Sequence, residues 1–91
     1  MSAAGADAAF IEAFDALPLG TFEARFEGAR WVVTRSRCAG GRSEKLVGEA
    51  ADGSDDVSMN VYRLSGGARL APCEMSVEKA RAFVMGAVPL P

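Results

Sequence analysis

Histidine is absent from the 91 residues, and its absence excludes several kinds of site at once. The chain has no Ser-His or Cys-His catalytic pair, no imidazole metal ligand and no imidazole pH switch. Only two cysteines occur, Cys38 and Cys73, and without histidine they do not complete an ordinary structural zinc site. The acidic segment 52–56 lacks the spacing of an EF-hand loop. We therefore expect no metal and no cofactor.

Long apolar runs and a strong net charge are also missing. No stretch approaches 18 consecutive apolar residues, so we expect no membrane span. The first residues lack the basic segment and long apolar core of a signal peptide. A net charge of −2 gives no general attraction to nucleic acid or to anionic membranes. With so few cysteines, these features favour a reduced, cytoplasmic protein.

The length and composition fit one small domain. A mass of 9.5 kDa corresponds to a folded surface of roughly 5,000 Å² and burial of about 63% of the unfolded chain's surface. Hydrophobic residues make up 49% of the sequence, which is enough for one modest core. We expect residues 1–91 to form a single domain, with 1–6 and 89–91 flexible.

Helical periodicity occurs at both ends of the chain. After Asp7, the apolar residues Phe10, Phe14 and Leu17 recur at helical spacing, and Pro18 stops the pattern. A second helix is predicted to begin at Ser76, whose side chain suits the N-cap position.

A period of two governs the residues between these helices. Alternating or β-rich segments occupy 21–27, 30–38, 43–50 and 57–64, and a short fifth segment follows at 69–71. The turns between them are short, which requires antiparallel neighbours. The sequence therefore predicts an α+β fold of order α-β-β-β-β-(β)-α. In this fold, an antiparallel meander sheet of four or five strands carries the N-terminal and C-terminal helices on one face.

The first functional hypothesis concerns the sheet face that the helices leave uncovered. On the assigned face parities, this face contains Trp31, Val33, Arg35, Arg37, Ser58, Asn60 and Tyr62. Aromatic and arginine residues are enriched at the centres of protein interfaces. We therefore expect a non-enzymatic interaction module that binds another protein or forms a homodimer, with Trp31, Arg35, Arg37 and Tyr62 as binding residues. A one-residue register error in the second strand would reverse its exposed set.

A thiol-dependent redox activity is the second hypothesis. Cys73 precedes the predicted N-cap Ser76 by three residues, and a helix N-terminus favours a thiolate. Cys38, at the end of a strand, would then act as the resolving thiol. The alternative is that both cysteines are ordinary small packing residues.

Binding of single-stranded nucleic acid is the third hypothesis. Basic residues concentrate in 30–45, and Arg35 and Arg37 share the parity of Trp31. A strand face of this composition can contact phosphates and stack on bases. The acidic segments on both sides favour a solvated sheet face with cross-strand ion pairs instead.

Overall fold

Two helices pack against one six-stranded antiparallel sheet. The computed structural model describes residues 6–91, apart from the side chain of Ala39. The elements are α1 (Ala8–Asp15), β1 (Gly20–Phe26), β2 (Ala29–Cys38), β3 (Ser43–Ala50), β4 (Asp56–Leu64), β5 (Gly67–Pro72), α2 (Val77–Gly86) and β6 (Val88–Pro89). This arrangement confirms the predicted α+β class, with a helix at each end of an antiparallel sheet. Residues 1–5, part of the segment expected to be flexible, lie outside the described residues.

The strand order is β5-β4-β3-β2-β1-β6. Strands β1 to β5 follow one another as a meander, because the turns that join them are short. Helix α2 then carries the chain back across the sheet, and β6 pairs with β1 through Val88 and Arg25. The N–H of Leu90 adds a hydrogen bond of 2.9 Å to the carbonyl of Glu23. This short edge strand is additional to the four or five strands predicted from the sequence.

Both helices begin at the residues that the sequence indicates. Asp7 Oδ1 accepts a hydrogen bond of 2.9 Å from the N–H of Phe10, and Ser76 Oγ accepts one of 3.0 Å from the N–H of Lys79. Asp7 also pairs with Arg81 of α2 at 3.0 Å. These two interactions, the backbone hydrogen bond first, lower the pKa of Asp7. The N-cap residue of α1 is thereby joined to the middle of α2.

The face assignment made for β2 is wrong. Trp31 and Arg35 are both 3% exposed and Val33 is fully buried, so all three point toward the helices. Val32, which has the opposite parity, is 43% exposed. The physical reason is that Trp31 and Val33 together bury more apolar surface than Val32 and Thr34, which would face inward in the opposite orientation. Because side chains alternate along a strand, Arg35 faces inward with them.

An aromatic cluster explains the position of Trp31. Its ring centroid lies 4.8 Å from that of Phe83 on α2, and Phe26 packs against both rings. Gly48 of β3 lies beneath this cluster. A Cβ atom there would come within 3.1 Å of Val57 and 3.5 Å of both Trp31 and Phe83, so the close packing requires a glycine in mid-strand.

Replacement of Trp31 tests this placement. We expect Trp31→Ala to lower the free energy of unfolding by about 3–5 kcal/mol, the usual loss for a buried large aromatic residue, measured by urea denaturation. The control Val32→Ala removes an exposed neighbour and, at a protein concentration low enough to keep the chain monomeric, should change stability by less than about 1 kcal/mol. Equal effects of the two substitutions would contradict the inward orientation of Trp31.

Candidate functional site

No helix or strand of residues 6–91 covers the sheet face opposite the helices. We call this surface the open face, and it consists of Thr21, Glu23, Arg25, Arg30, Val32, Thr34, Ser36, Cys38, Ser43, Lys45, Val47, Glu49, Asp56, Ser58, Asn60, Tyr62, Arg69 and Ala71. Val32 and Val47 are 43% and 42% exposed, which is unusual for apolar residues at the centre of a sheet. The open face is therefore the first candidate for a binding surface.

Charge on the open face is ordered in rows across the strands. The central row contains Thr34, Val47 and Ser58, which are cross-strand neighbours and carry no charge. Glu49 lies two residues from Val47 toward one end of β3, and Lys45 lies two residues from it toward the other. Along β3, the open face thus has an acidic and a basic position on either side of a neutral row, and Arg25 and Arg30 lie beyond the row of Glu49.

Of the predicted binding residues, only Tyr62 lies on the open face, where it pairs with Ser43 and Arg69 at the end of β4. Trp31 is part of the core. Arg35 and Arg37 belong to the helix-side face of β2, near the end of α1. The structure therefore separates the residues that the first hypothesis places together.

The buried carboxylate of Glu44 is the centre of a second site. Glu44 is 1% exposed, and its Oε1 accepts a hydrogen bond of 2.8 Å from Arg35 Nε. Its Oε2 accepts one of 2.8 Å from Arg63 Nε. Arg35 Nη1 also donates to the carbonyl of Leu17 at 2.5 Å, and Arg63 pairs with Asp15, the last residue of α1. These contacts join the end of α1 to the middle of the sheet.

The two guanidinium groups keep Glu44 ionised. Burial alone would raise its pKa, but the hydrogen bonds from Arg35 and Arg63, helped by their charges, hold the pKa of Glu44 below its ordinary value of 4.5. Both guanidinium groups also lie near the ring of Phe14, with Cζ atoms 4.8 and 5.9 Å from its centroid. Each cation is therefore held by a carboxylate and an aromatic face.

A groove of about 620 Å³ opens beside this cluster. We call it the arginine groove, and its lining consists of Asp15, Leu17, Leu19, Arg35, Arg37, Gly41, Glu44 and Arg63. Three of these residues are cationic and two are anionic. Arg35 and Arg37 were among the binding residues predicted from the sequence, whereas Glu44 and Arg63 were not. Cross-strand register was the available signal, because the turn after β2 pairs Arg37 directly with Glu44.

The two thiols lie far apart. Cys73 follows β5, where its N–H donates to the carbonyl of Ser58 at 2.9 Å and its sulfur lies 3.8 Å from Asn60 Nδ2. Cys38 ends β2, three strand spacings away, which corresponds to at least about 14 Å. A disulfide needs Cα atoms within about 7 Å. The expectation that Cys38 serves as the resolving thiol of Cys73 is therefore wrong within one chain.

The acidic turn between β3 and β4 is stabilised by its own hydrogen bonds. Asp52 accepts one from the N–H of Ser54 at 2.9 Å, and Asp55 accepts from Asp56 N–H at 2.8 Å and from Lys79 Nζ at 2.7 Å. Across residues 6–91, no group of acidic or cysteine side chains is arranged to hold a metal ion.

Comparison with protein-family models, curated proteins and solved structures finds no match for this chain. Neither helix in the described part of the chain is long and apolar enough to cross a membrane. The open face and the arginine groove are therefore the two surfaces that can indicate a function.

The Glu44 cluster predicts a specific pH dependence of stability. Because the folded-state pKa of Glu44 is depressed, its contribution is present above the unfolded-state value near 4.5 and is lost as the pH falls through the folded-state value. We expect Glu44→Gln to lower the free energy of unfolding at pH 7 by about 3 kcal/mol, since it removes one partner of a buried ion pair. Urea denaturation should show this difference shrinking between pH 5 and pH 2.

The matched control is Glu12→Gln, which removes the same charge from an exposed position of α1. Its effect should be within about 0.5 kcal/mol at pH 7. A difference between wild type and Glu44→Gln that stays constant with pH would contradict an ionised Glu44 in the folded state.

Proposed function

We propose that the protein is a small non-enzymatic interaction module that forms a homodimer through its open face. The observation that carries this proposal is the charge order along β3, where Glu49 and Lys45 flank the uncharged Val47 at equal spacing. A surface that associates with a second copy of itself must be self-complementary. Along β3, the open face is self-complementary about its central row.

A two-fold axis along the central row, parallel to the inter-strand hydrogen bonds, provides the pairing. This rotation exchanges the two ends of β3 while β3 remains opposite β3 of the second copy. Glu49 then faces Lys45 of the partner subunit, and the reciprocal pair forms at the other end. Val47 lies near the axis and meets its own copy. Sheets packed face to face cross at about 30°, so the match is best at this centre.

The residue types of the open face suit an interface of moderate stability. Val32 and Val47 supply exposed apolar surface, and Thr34 and Ser58 are small enough to allow close approach of two sheets. Charged residues lie toward the ends rather than at the centre, as in protein interfaces generally. Tyr62 adds an aromatic group at the basic end.

The available area is also adequate. Strands β1 to β5, about 27 Å long on average and about 4.8 Å apart, cover about 650 Å². Full contact with a second copy would bury about 1,300 Å² in total, at the lower end of the standard range for specific interfaces. We therefore expect a concentration-dependent dimer rather than an obligate one.

Charge reversal on β3 tests the proposed dimer. Glu49→Lys leaves two lysines facing each other at each end of the interface, and Lys45→Glu leaves two glutamates. Each single substitution should weaken dimerisation at least tenfold, because like charges in contact are unfavourable. The double variant restores opposite charges and should recover most of the wild-type association, measured by sedimentation at low salt.

Glu12→Lys is the matched control, since it reverses the same charge at an exposed position of α1. It should leave the dimer unchanged. A wild-type protein that stays monomeric at about 1 mM, which corresponds to about 4 kcal/mol of association free energy, would reject self-association. A double variant as weak as the single variants would reject the proposed pairing of Glu49 with Lys45.

A further inference from the structure

The arginine groove has one cation more than its carboxylates neutralise. Arg35 and Arg63 both hydrogen bond to Glu44, and each also lies within ion-pair distance of Asp15. Arg37 has only a loose contact, with its Nε 3.9 Å from Glu44 Oε1. Among residues 6–91, no other contact engages its guanidinium group. The cluster therefore has a net charge of +1 and a set of uncommitted hydrogen-bond donors.

The position of Arg37 suits a ligand-binding cation. Its side chain is 49% exposed, so its donors are accessible to a molecule in solution. Its stem passes over Gly41, where a Cβ atom would lie 3.6 Å from Arg37 Cδ. Gly41 also has a φ of +90°, which disfavours other residues. The turn thus needs a glycine for its backbone conformation, and the stem of Arg37 lies beside it.

The lining of the groove also has an apolar part. Leu17 is buried, and Leu19 is 52% exposed at the rim, where α1 leads into β1. An exposed leucine beside an arginine with free donors can contact the apolar part of an anion while the arginine binds its charge. The volume of about 620 Å³ is within the range of small-molecule sites.

We propose that the arginine groove binds a monoanionic carboxylate that carries an aliphatic group. The carboxylate accepts hydrogen bonds from Arg37, and the aliphatic group packs on Leu19. Arginine suits this role because its planar donors match the two oxygens of a carboxylate. This site lies on the helix side of the sheet and is independent of the open face.

The charge of the groove favours a monoanion over a phosphate dianion. One negative charge neutralises the surplus cation, whereas a second would meet repulsion from the nearby carboxylates of Asp15 and Glu44 without a further cation to offset it. Free aliphatic acids and peptide C-termini share the required chemistry, and the experiment separates these two sources.

Titration of the full chain, followed by ¹H–¹⁵N NMR, tests the proposal. The probes are hexanoate for a free acid and N-acetylglycylleucine for a peptide C-terminus, with acetate, hexanol and inorganic phosphate as comparisons. We expect hexanoate, the peptide or both to shift the signals of groove residues at low millimolar concentration. Acetate, hexanol and phosphate should each bind about tenfold more weakly, since each lacks the apolar group or the single negative charge.

Two variants locate the binding. Arg37→Gln should weaken the binding of the effective probe about tenfold or more, because it removes the charged donors. Leu19→Ala should weaken the longer probes but leave acetate unchanged. Arg25→Gln, which removes an exposed arginine from β1, should have no effect. Thermal unfolding of each variant shows whether it remains folded under these conditions.

Three results would overturn the proposal. The first is the absence of groove shifts with either carboxylate probe at about 50 mM, a concentration that would reveal even very weak binding. The second is an equal loss of binding in Arg37→Gln and Arg25→Gln, which would indicate general charge attraction. The third is stronger binding of phosphate than of hexanoate. Binding of only one carboxylate probe would support the proposal and identify the source.

Discussion

The buried carboxylate of Glu44 is the constraint on which the rest of this small fold depends. An ionised group that is 1% exposed must be compensated, and Arg35 and Arg63 provide the compensation from the two strands on either side of β3. Arg35 also binds the carbonyl of Leu17, so the same guanidinium holds the chain that leaves α1. One charge network thereby aligns three strands and attaches the first helix to them.

The local elements could be predicted from sequence because their signals are local. The caps at Asp7 and Ser76 and the alternation in 57–64 each depend on neighbouring residues, and the structure has them where expected. The edge strand β6 could not be predicted in this way. Its two residues pair with β1 only because α2 returns the chain to that edge, and such a contact between distant segments leaves no periodic pattern.

The orientation of β2 shows why charge is a weak guide to the face of a strand. Trp31 and Val33 alternate in phase with Arg35 and Arg37, so the two pairs cannot point in their separately preferred directions. The predicted orientation of β2 placed both pairs on the open face. In the structure the apolar pair decides, and Glu44 on the adjacent strand makes the burial of Arg35 tolerable. The face of a charged residue therefore depends on whether a neighbouring strand supplies its partner.

The two candidate surfaces lie on opposite sides of β3 and share its register. Glu44 points toward the helices and Lys45 toward solvent, so a shift of one residue would exchange an anion needed inside for a cation. The cost of burying Lys45 without a carboxylate makes that shift unfavourable. The network around Glu44 therefore also fixes the spacing of Lys45, Val47 and Glu49 on the open face. The proposed self-complementarity of the open face therefore depends on the ion pair between Glu44 and Arg35, which lies on the other side of the sheet.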